Sequence, residues 1–359
     1  MYWGDTSHYA LDFHQFYAVG QLPAHQVYDL EAQHAAEMEL WKEHRSTLME
    51  FNFSPFLKPA YYWLALMPLA KQPFWTAYWV FVAFQGLSFL LAVYLLHRRF
   101  NLELYVLFLL PMCPYVGVPL TWGQDIFFVF LCVVLALELA LRDRQGLGGA
   151  VLALGLIKWN LLLLFPVVML VQRRTKLFTG FAIVALLEIG LSIWIPGRNG
   201  LLQYLSNYGD PSAHYWDTLM PSFYGLLLDI GISNGVAAGL TLAASAVFVY
   251  YARNLQLTQT FAVLGVAGPL LAMHSMGYDL LFALVPIVIC GAYFQTPFRG
   301  MAAVLFLSPL PYLASTTLDI MAPRAMLFVV SAIVMWGLFR PQDAAEPAAN
   351  LQLQKHSRP

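Results

Sequence analysis

The stretch RDRQGLGGAVLALGLIKWNLLLLFPVVMLVQRRTK, residues 142–176, decides how this chain folds. Basic residues flank it on both sides, and its apolar part is only about one membrane span long. Lys and Arg in short loops favour the cytoplasmic side of a membrane, so both flanks are predicted to lie inside. Residues 146–171 must therefore enter the bilayer and turn back, and the turn is predicted at residues 158–160.

The composition of the whole chain is that of an integral membrane protein. Of its 359 residues, 60% are hydrophobic and only 11% are charged, whereas a soluble domain averages about 25% charged residues. Long apolar runs recur from residues 74–96 to residues 322–339. We predict an all-α, polytopic transmembrane helical bundle of about 11 membrane segments. Two of these segments are short half-helices, at residues 147–157 and 161–171.

The distribution of basic residues predicts the topology and the domain organisation. Residues 1–73 are expected to form an external loop with an interfacial helix at residues 56–70. Residues 74–340 are expected to form the transmembrane domain, and residues 341–359 a disordered cytoplasmic tail. An external start requires either insertion with the amino terminus outside or a first transmembrane helix upstream of residue 1, and we expect the second.

Several classes of function lack support in the sequence. The net charge is −1, so no global field favours nucleic acid. The cysteines, Cys113, Cys132 and Cys290, are scattered through apolar runs and indicate neither a disulfide framework nor a metal site. The sequence contains no Gly-rich nucleotide-phosphate loop, nucleophile elbow, or His-Glu-x-x-His motif. We therefore expect no metal and no cofactor.

The polar residues of chemical interest converge on the non-cytoplasmic side. They come from distant parts of the chain, but the crossing count assigns them to one membrane level. No pair has a diagnostic spacing by itself. The candidate set is Asp12, Asp125, Lys158, Arg198, His274, Asp279 and Arg324.

Asp12 and Lys158 carry the most information in this set. A carboxylate beside apolar surface has a raised pKa, which suits a group that accepts a proton. The alternative for Asp12 is a solvated loop aspartate. A lysine at membrane depth indicates function, and the alternative for Lys158 is an anchor whose ammonium group reaches the interface.

The other five candidates also have structural alternatives. Asp125 and Asp279 each precede an apolar run, so either can support the site or simply cap a helix. His274 lies between two predicted spans, where an exposed loop histidine is common. Arg198 and Arg324 can neutralise a phosphate or contact lipid headgroups.

Short motifs along nearly the whole chain resemble the GT-C membrane glycosyltransferases, and within them glycosyltransferase family 87, the polyprenol-phosphate-mannose-dependent α-mannosyltransferases. Each motif is short. The residues that carry the likeness are Asp12-Phe13 with Tyr17, Tyr28-Asp29, Phe53-Ser54-Pro55, Met67-Pro68-Leu69-Ala70, Gly123-Gln124-Asp125, Gly149–Gly155 with Ile157-Lys158, Pro221-Ser222-Phe223-Tyr224-Gly225, and His274–Asp279 before Val285-Pro286.

This resemblance implies an enzyme that transfers a hexose, with mannose expected, from a polyprenyl-phosphate-sugar donor to a glycan or glycolipid acceptor. It implies Asp12 as the general base and His274 as a second catalytic residue. Lys158 is implied near the donor phosphate. From their charge, we expect Arg324 and Arg198 to bind this phosphate as well. The expected location is the plasma (inner) membrane, with the active site facing the outside or the periplasm. One carboxylate base without a carboxylate nucleophile predicts inversion at the anomeric carbon.

The sequence departs from the family pattern at several points. Phe53-Ser54-Pro55 stands where the family has Tyr-x-Pro, and Lys158-Trp159 stands where it has Lys-Pro. A polar stretch at residues 31–50 enlarges the first loop. A transporter or flippase of a lipid-linked or anionic solute stays open as the alternative, because transporters also contain helices broken near the midplane. A membrane scaffold subunit is a third possibility, but it leaves Lys158 without a role.

Overall fold

The computed structural model describes residues 12–44, 53–102, 107, 110, 113–209 and 220–285, and these residues form helices and short connections. The prediction of an all-α, polytopic membrane fold is confirmed. Four helical runs in the described part of the chain are long and apolar enough to cross a membrane: Phe74–Phe100, Gln145–Leu162, Thr175–Trp194 and Asn234–Ala252. The predicted segments at residues 298–314 and 322–339 lie outside the described residues.

The α-helices are numbered here in chain order. Short 3-10 helices, at Ala24–Gln26, Ala60–Tyr62, Leu154–Lys158 and Gly277–Ala283, connect or extend them. The α-helices of the described residues are α1 (Phe13–Gln21), α2 (Leu30–His44), α3 (Trp63–Leu69), α4 (Phe74–Phe100), α5 (Pro114–Trp122), α6 (Ile126–Leu141), α7 (Gln145–Ala153), α8 (Trp159–Leu162), α9 (Leu164–Val171), α10 (Thr175–Trp194), α11 (Gly197–Gly209), α12 (Phe223–Asp229), α13 (Asn234–Ala252) and α14 (Leu257–Leu271).

Aromatic packing holds the amino-terminal helix α1 against the start of α4. Phe13 is fully buried, and its ring centroid lies 5.7 Å from that of Tyr78 and 5.2 Å from that of Phe81. Phe16 contacts Phe81 as well, with ring centroids 6.0 Å apart. Aromatic pairs at these distances add specific geometry to apolar burial. The residue before α1, Asp12, is thereby held close to the membrane domain.

The polar stretch that enlarges the first loop folds largely into α2, and α2 holds the segment that follows. Gln33 is fully buried, and its Oε1 accepts a hydrogen bond from the Phe56 amide at 2.8 Å. The Tyr28 hydroxyl donates to the Lys58 carbonyl oxygen at 2.7 Å. These bonds satisfy main-chain groups that lie outside regular helix. They therefore fix the backbone on both sides of residue 57.

The segment at residues 145–171 forms the predicted pair of half-helices, α7 and α9. The chain leaves helical geometry at Lys158, where φ is −120° and ψ is 59°. From Gln145 to Lys158 the axial rise is roughly 23 Å, because nine α-helical residues are followed by five 3-10 residues. The first half therefore reaches most of the way across a ~30 Å hydrocarbon core.

Contacts along the pair of half-helices show that the chain returns. A Cβ placed at Gly155 would lie 3.2 Å from Val129, near the start of α6. After the turn, the Gln172 side chain donates to the Ala252 carbonyl oxygen at 2.6 Å, beside Arg253 at the end of α13. Lys158 thus lies near the amino-terminal end of α6. Gln172 lies next to Arg253, one of the basic residues that the sequence predicts on the cytoplasmic side.

Glycines allow α7 to approach α10 closely. A Cβ placed at Gly149 would overlap the Leu177 carbonyl oxygen, and one placed at Gly180 would overlap the Gly146 carbonyl oxygen. Small residues permit such backbone contact between membrane helices. The Gly-rich sequence 146–149 therefore positions the half-helix that ends at Lys158.

Candidate active site

Lys158 lies at the turn of the half-helix pair and is bound by two carboxylates. Its Nζ donates to Asp279 Oδ1 at 3.0 Å and lies 4.0 Å from Asp125 Oδ1. The ammonium group also lies 4.8 Å from the centroid of the Tyr278 ring. Only 7% of Lys158 is exposed, so a positive charge on its ammonium group requires carboxylate partners such as these.

Asp125 is shared between two lysines. Lys58 Nζ lies 2.8 Å from Asp125 Oδ2, whereas Lys158 approaches the other carboxylate oxygen, Oδ1. Asp125 occupies the N-cap position of α6, but its side chain makes no capping hydrogen bond. The carboxylate is fully buried and serves the ion pairs instead of the helix end. We call Lys58, Asp125, Lys158 and Asp279 the outer cluster, after the side of the membrane that the sequence predicts for it.

Asp12 reaches this cluster through the turn before α6. The Asp12 amide donates to the Trp122 carbonyl oxygen at 3.0 Å. Gly123 follows with φ of 72°, and a Cβ at this glycine would lie 2.6 Å from the Phe13 Cβ. Only glycine combines a left-handed backbone with so close an approach. Gly123 therefore allows Asp12 and Asp125 to lie side by side.

The electrostatic environment of Asp12 suits a proton acceptor. Burial raises the pKa of the Asp12 carboxyl to about 6, and a hydrogen bond from Gln124 together with the charges of Lys158 and Lys58 limits the rise. One carboxyl oxygen, Oδ2, is buried and has no hydrogen-bond partner among the described residues. A carboxylate with a free oxygen and a pKa near neutrality is equipped to take a proton from a bound hydroxyl.

The loop at residues 274–279 closes the cluster from the carboxyl-terminal side. Asp279 Oδ2 accepts a hydrogen bond from the Met276 amide at 2.8 Å, so Asp279 both caps a 3-10 helix and pairs with Lys158. The His274 carbonyl oxygen accepts a hydrogen bond from the Asn160 side chain. Asn160 comes two residues after Lys158, so this bond ties the turn of the half-helices to the His274 loop.

The structure thus brings Asp12, Asp125, Lys158 and Asp279 together, and it connects His274 to them through Asn160. Arg198 is exposed near the start of α11 and has no ion pair among the described residues. Arg324 lies outside the described residues.

Lys58 is a member of the site that the sequence analysis missed. Besides the ion pair with Asp125, its Nζ lies 5.2 Å from the Phe16 ring centroid and 5.8 Å from that of Tyr62. A signal was present in the sequence, because Lys58 is one of few basic residues in a segment predicted to be external, against the usual bias. Its assignment to an interfacial helix hid that signal.

The fold and the site define a polytopic membrane protein with a buried, mixed-charge cluster where α6 begins. Comparison of the sequence with protein-family profiles finds Glycosyltransferase family 87 over residues 56–276, more than half of the chain. The chain belongs to this family, and it is a membrane glycosyltransferase. Family membership thereby favours the enzyme over the transporter that the sequence analysis left open.

The matched range includes Lys58, Asp125, Lys158 and His274, whereas Asp12 lies before its start and Asp279 after its end. Neither a curated protein nor a solved structure matches the chain. Among the described residues, no group of three or more His, Cys, Asp or Glu side chains is arranged to hold a metal ion.

Proposed function

We propose that this glycosyltransferase moves a hexose from a polyprenyl-phosphate-sugar donor to a hydroxyl group of a glycan or glycolipid acceptor. Mannose is the proposed sugar, and the outer face of the plasma membrane is the proposed location. The observation that carries the proposal is the unpartnered, buried Oδ2 of Asp12 beside two lysines. A lipid phosphate leaves as a stabilised anion, so the chemistry requires a base and local positive charge rather than a nucleotide-binding fold.

In the proposed reaction, Asp12 accepts the proton of the acceptor hydroxyl group. At the same time, the oxygen of that hydroxyl group attacks the anomeric carbon of the donor sugar. The bond between that carbon and the phosphate oxygen breaks, and the phosphate leaves with the bonding electrons. A single displacement inverts the anomeric configuration. We propose that His274 assists in the same site, since its loop is bonded to Asn160.

The outer cluster bears on how the phosphate is bound. Lys58 and Lys158 both face Asp125, and Lys158 also pairs with Asp279. Their charges are largely offset, so we propose that both lysines limit the rise in the pKa of Asp12 and that Lys158 borders the phosphate. The additional positive charge for the departing phosphate is assigned to Arg324 and Arg198, as the sequence predicts.

A reconstituted transfer assay tests this function. Purified protein in liposomes is given polyprenyl-phosphate-mannose, or its glucose and galactose counterparts, with an extract of membrane glycolipids as acceptor. We expect transfer from the mannosyl donor, and the product should have the inverted anomeric configuration by NMR. No transfer from any of the three donors, or retention of configuration, would contradict the proposal.

The variant Asp12→Asn tests the base. Loss of a general base should lower turnover by at least about 100-fold, while expression and thermal stability stay unchanged. Asp143→Asn is the matched control, because Asp143 is exposed at the other end of α6 and already has a positive φ of 64° that asparagine tolerates. Full activity of the Asp12→Asn variant would remove Asp12 from the mechanism.

A further inference from the structure

A second polar site lies within the membrane-spanning helix α10, on its inward face. Glu188 is only 7% exposed, whereas its neighbours Leu187 and Ile189 are 63% and 53% exposed. Glu188 comes six residues before Trp194, the last residue of the helix, so it lies about 9 Å along the axis from that end. An ionisable residue at this depth is costly and indicates function.

Tyr61 faces Glu188 from the first external segment. The Tyr61 hydroxyl and the Glu188 carboxyl lie close enough to interact as hydrogen-bonding partners, although no bond of regular geometry joins them. The Tyr61 amide donates to Ser192 Oγ at 3.4 Å, and Ser192 lies one helical turn after Glu188 on the same face. Tyr61 follows Lys58 by three residues and also interacts with Asp125. The Glu188 site is therefore adjacent to the outer cluster.

Both groups of this pair have hydrogen-bonding capacity that the protein leaves unused. Glu188 Oε2 and the Tyr61 hydroxyl are buried, and neither has a hydrogen-bond partner of regular geometry among the described residues. No lysine, arginine or histidine among the described residues forms an ion pair with Glu188. Buried polar atoms of this kind are costly unless a ligand or water satisfies them. The pair is thus open to an incoming polar group.

The chemistry of the pair selects a neutral hydroxyl group. A phosphate would find no cation beside Glu188 among the described residues to offset its charge, and a metal ion would lack further ligands in the same residues. A hydroxyl can donate to one of these two groups and accept from the other at the same time, since a carboxyl group and a phenol both offer donor and acceptor sites. The apolar residues on either side of Glu188 are exposed and suited to contact with lipid, so the pair lies beside a surface that a lipid-borne molecule would approach.

We propose that Glu188 and Tyr61 bind a sugar hydroxyl of a lipid-linked substrate and so help to determine which sugar the enzyme uses. The proposal rests on the proposed function, because it supplies a sugar-recognition site for the same reaction. The same chemistry fits the hexose of the donor and a sugar of a glycolipid acceptor. The experiment therefore has one arm for each.

Binding is measured by native mass spectrometry of the full-length protein in detergent or nanodiscs. The donor arm compares polyprenyl-phosphate-mannose with bare polyprenyl phosphate, and the acceptor arm compares a mannosylated glycolipid with its sugar-free lipid. Glu188→Gln and Tyr61→Phe should each weaken binding of one sugar-bearing probe by about tenfold, the effect expected for the loss of one buried hydrogen bond. Both variants should leave the sugar-free probes within about twofold of the wild type.

Two exposed positions supply matched controls, Glu39→Gln in α2 and Tyr94→Phe in α4, and both should bind every probe as the wild type does. Tyr61→Phe removes only one oxygen atom, so it keeps the test valid if Glu188→Gln fails to fold. The proposal is overturned if both arms are unaffected by the variants, or if the wild type prefers neither sugar-bearing lipid. Sugar-selective binding without any transfer would contradict the proposed function but retain this site.

Discussion

Helix α6 carries a charged cluster at each end, and the two clusters differ in their chemistry. At the inner end, Glu138 lies between two arginines, with Arg99 Nε 2.8 Å from Oε2 and Arg142 Nη2 2.6 Å from Oε1. At the outer end, Asp125 lies between two lysines. Each cluster places one carboxylate between two cations, but only the outer one adjoins a carboxyl group with a free oxygen, Asp12.

The two clusters also differ in burial and in the origin of their members. The Arg142 side chain is 45% exposed, and it pairs with Glu138 within one helical turn. The Asp125 side chain is fully buried, and its partners come from residues 58 and 158. Arginine forms directed, fork-like bonds that suit a fixed structural pair, whereas lysine is a compact charge with freely rotating donors. The comparison fits an inner cluster that anchors helices, and it agrees with the proposal that the outer cluster serves the reaction.

The largest expected effect is the loss of protein stability when the outer cluster is broken. Lys58→Met should destabilise the protein by about 3–5 kcal/mol, because it leaves the buried Asp125 carboxylate with one distant cation. The measurement is the midpoint of thermal unfolding of the detergent-solubilised protein. The double variant Lys58→Met, Asp125→Asn should recover most of the loss, since it removes the unpaired charge. Absence of recovery would mean that Lys58 stabilises the fold through packing on Phe16 and Tyr62 instead.

The next effect concerns the pH dependence of transfer. In the proposed mechanism Asp12 acts in its ionised form, so kcat/KM should fall about tenfold per pH unit as the pH drops below the pKa of about 6. An ordinary aspartate would place this limb near pH 4. In any Lys58→Met protein that remains folded, the limb should move to higher pH, because the Lys58 charge lowers the pKa of Asp12. A limb at the same pH in both proteins would separate Asp12 from the outer cluster.

The smallest effect is expected at the inner cluster. Arg99→Met removes one partner of Glu138, but Arg142 remains at 2.6 Å and the site is partly exposed. The loss of stability should be about 1 kcal/mol or less, measured by the same thermal unfolding. The pH profile of transfer should not change. A loss equal to that of Lys58→Met would remove the distinction between the two clusters.

The sequence predicted the half-helix pair because the relevant signals are local. Basic flanks at residues 142–144 and 173–176 surround an apolar stretch too short to cross twice as full spans. The sequence also identified Asp12, Asp125, Lys158 and Asp279 as candidates for one membrane level, and the structure places these four together. Their chemical roles remain predictions.

The ion pairs themselves were beyond prediction from the sequence. Asp125 and Asp279 both fit helix caps by position, and only the contacts with Lys58 and Lys158 show that the carboxylates serve ion pairs. Glu188 was not selected either, since one carboxylate in a long apolar run has no local partner. Its orientation toward Tyr61 depends on how α10 packs against the 3-10 helix at Ala60–Tyr62.

The sequence by itself determined that the protein lies in a membrane and where its chain turns back, and it predicts which side receives the polar residues. Hydrophobic runs and basic flanks act through their own solvation, so these properties are encoded locally. Only the tertiary structure decided which lysine meets which aspartate and that Gly123 brings Asp12 beside them. Such pairings join residues up to 121 positions apart. They depend on how distant helices pack against one another, which no local spacing in the sequence specifies.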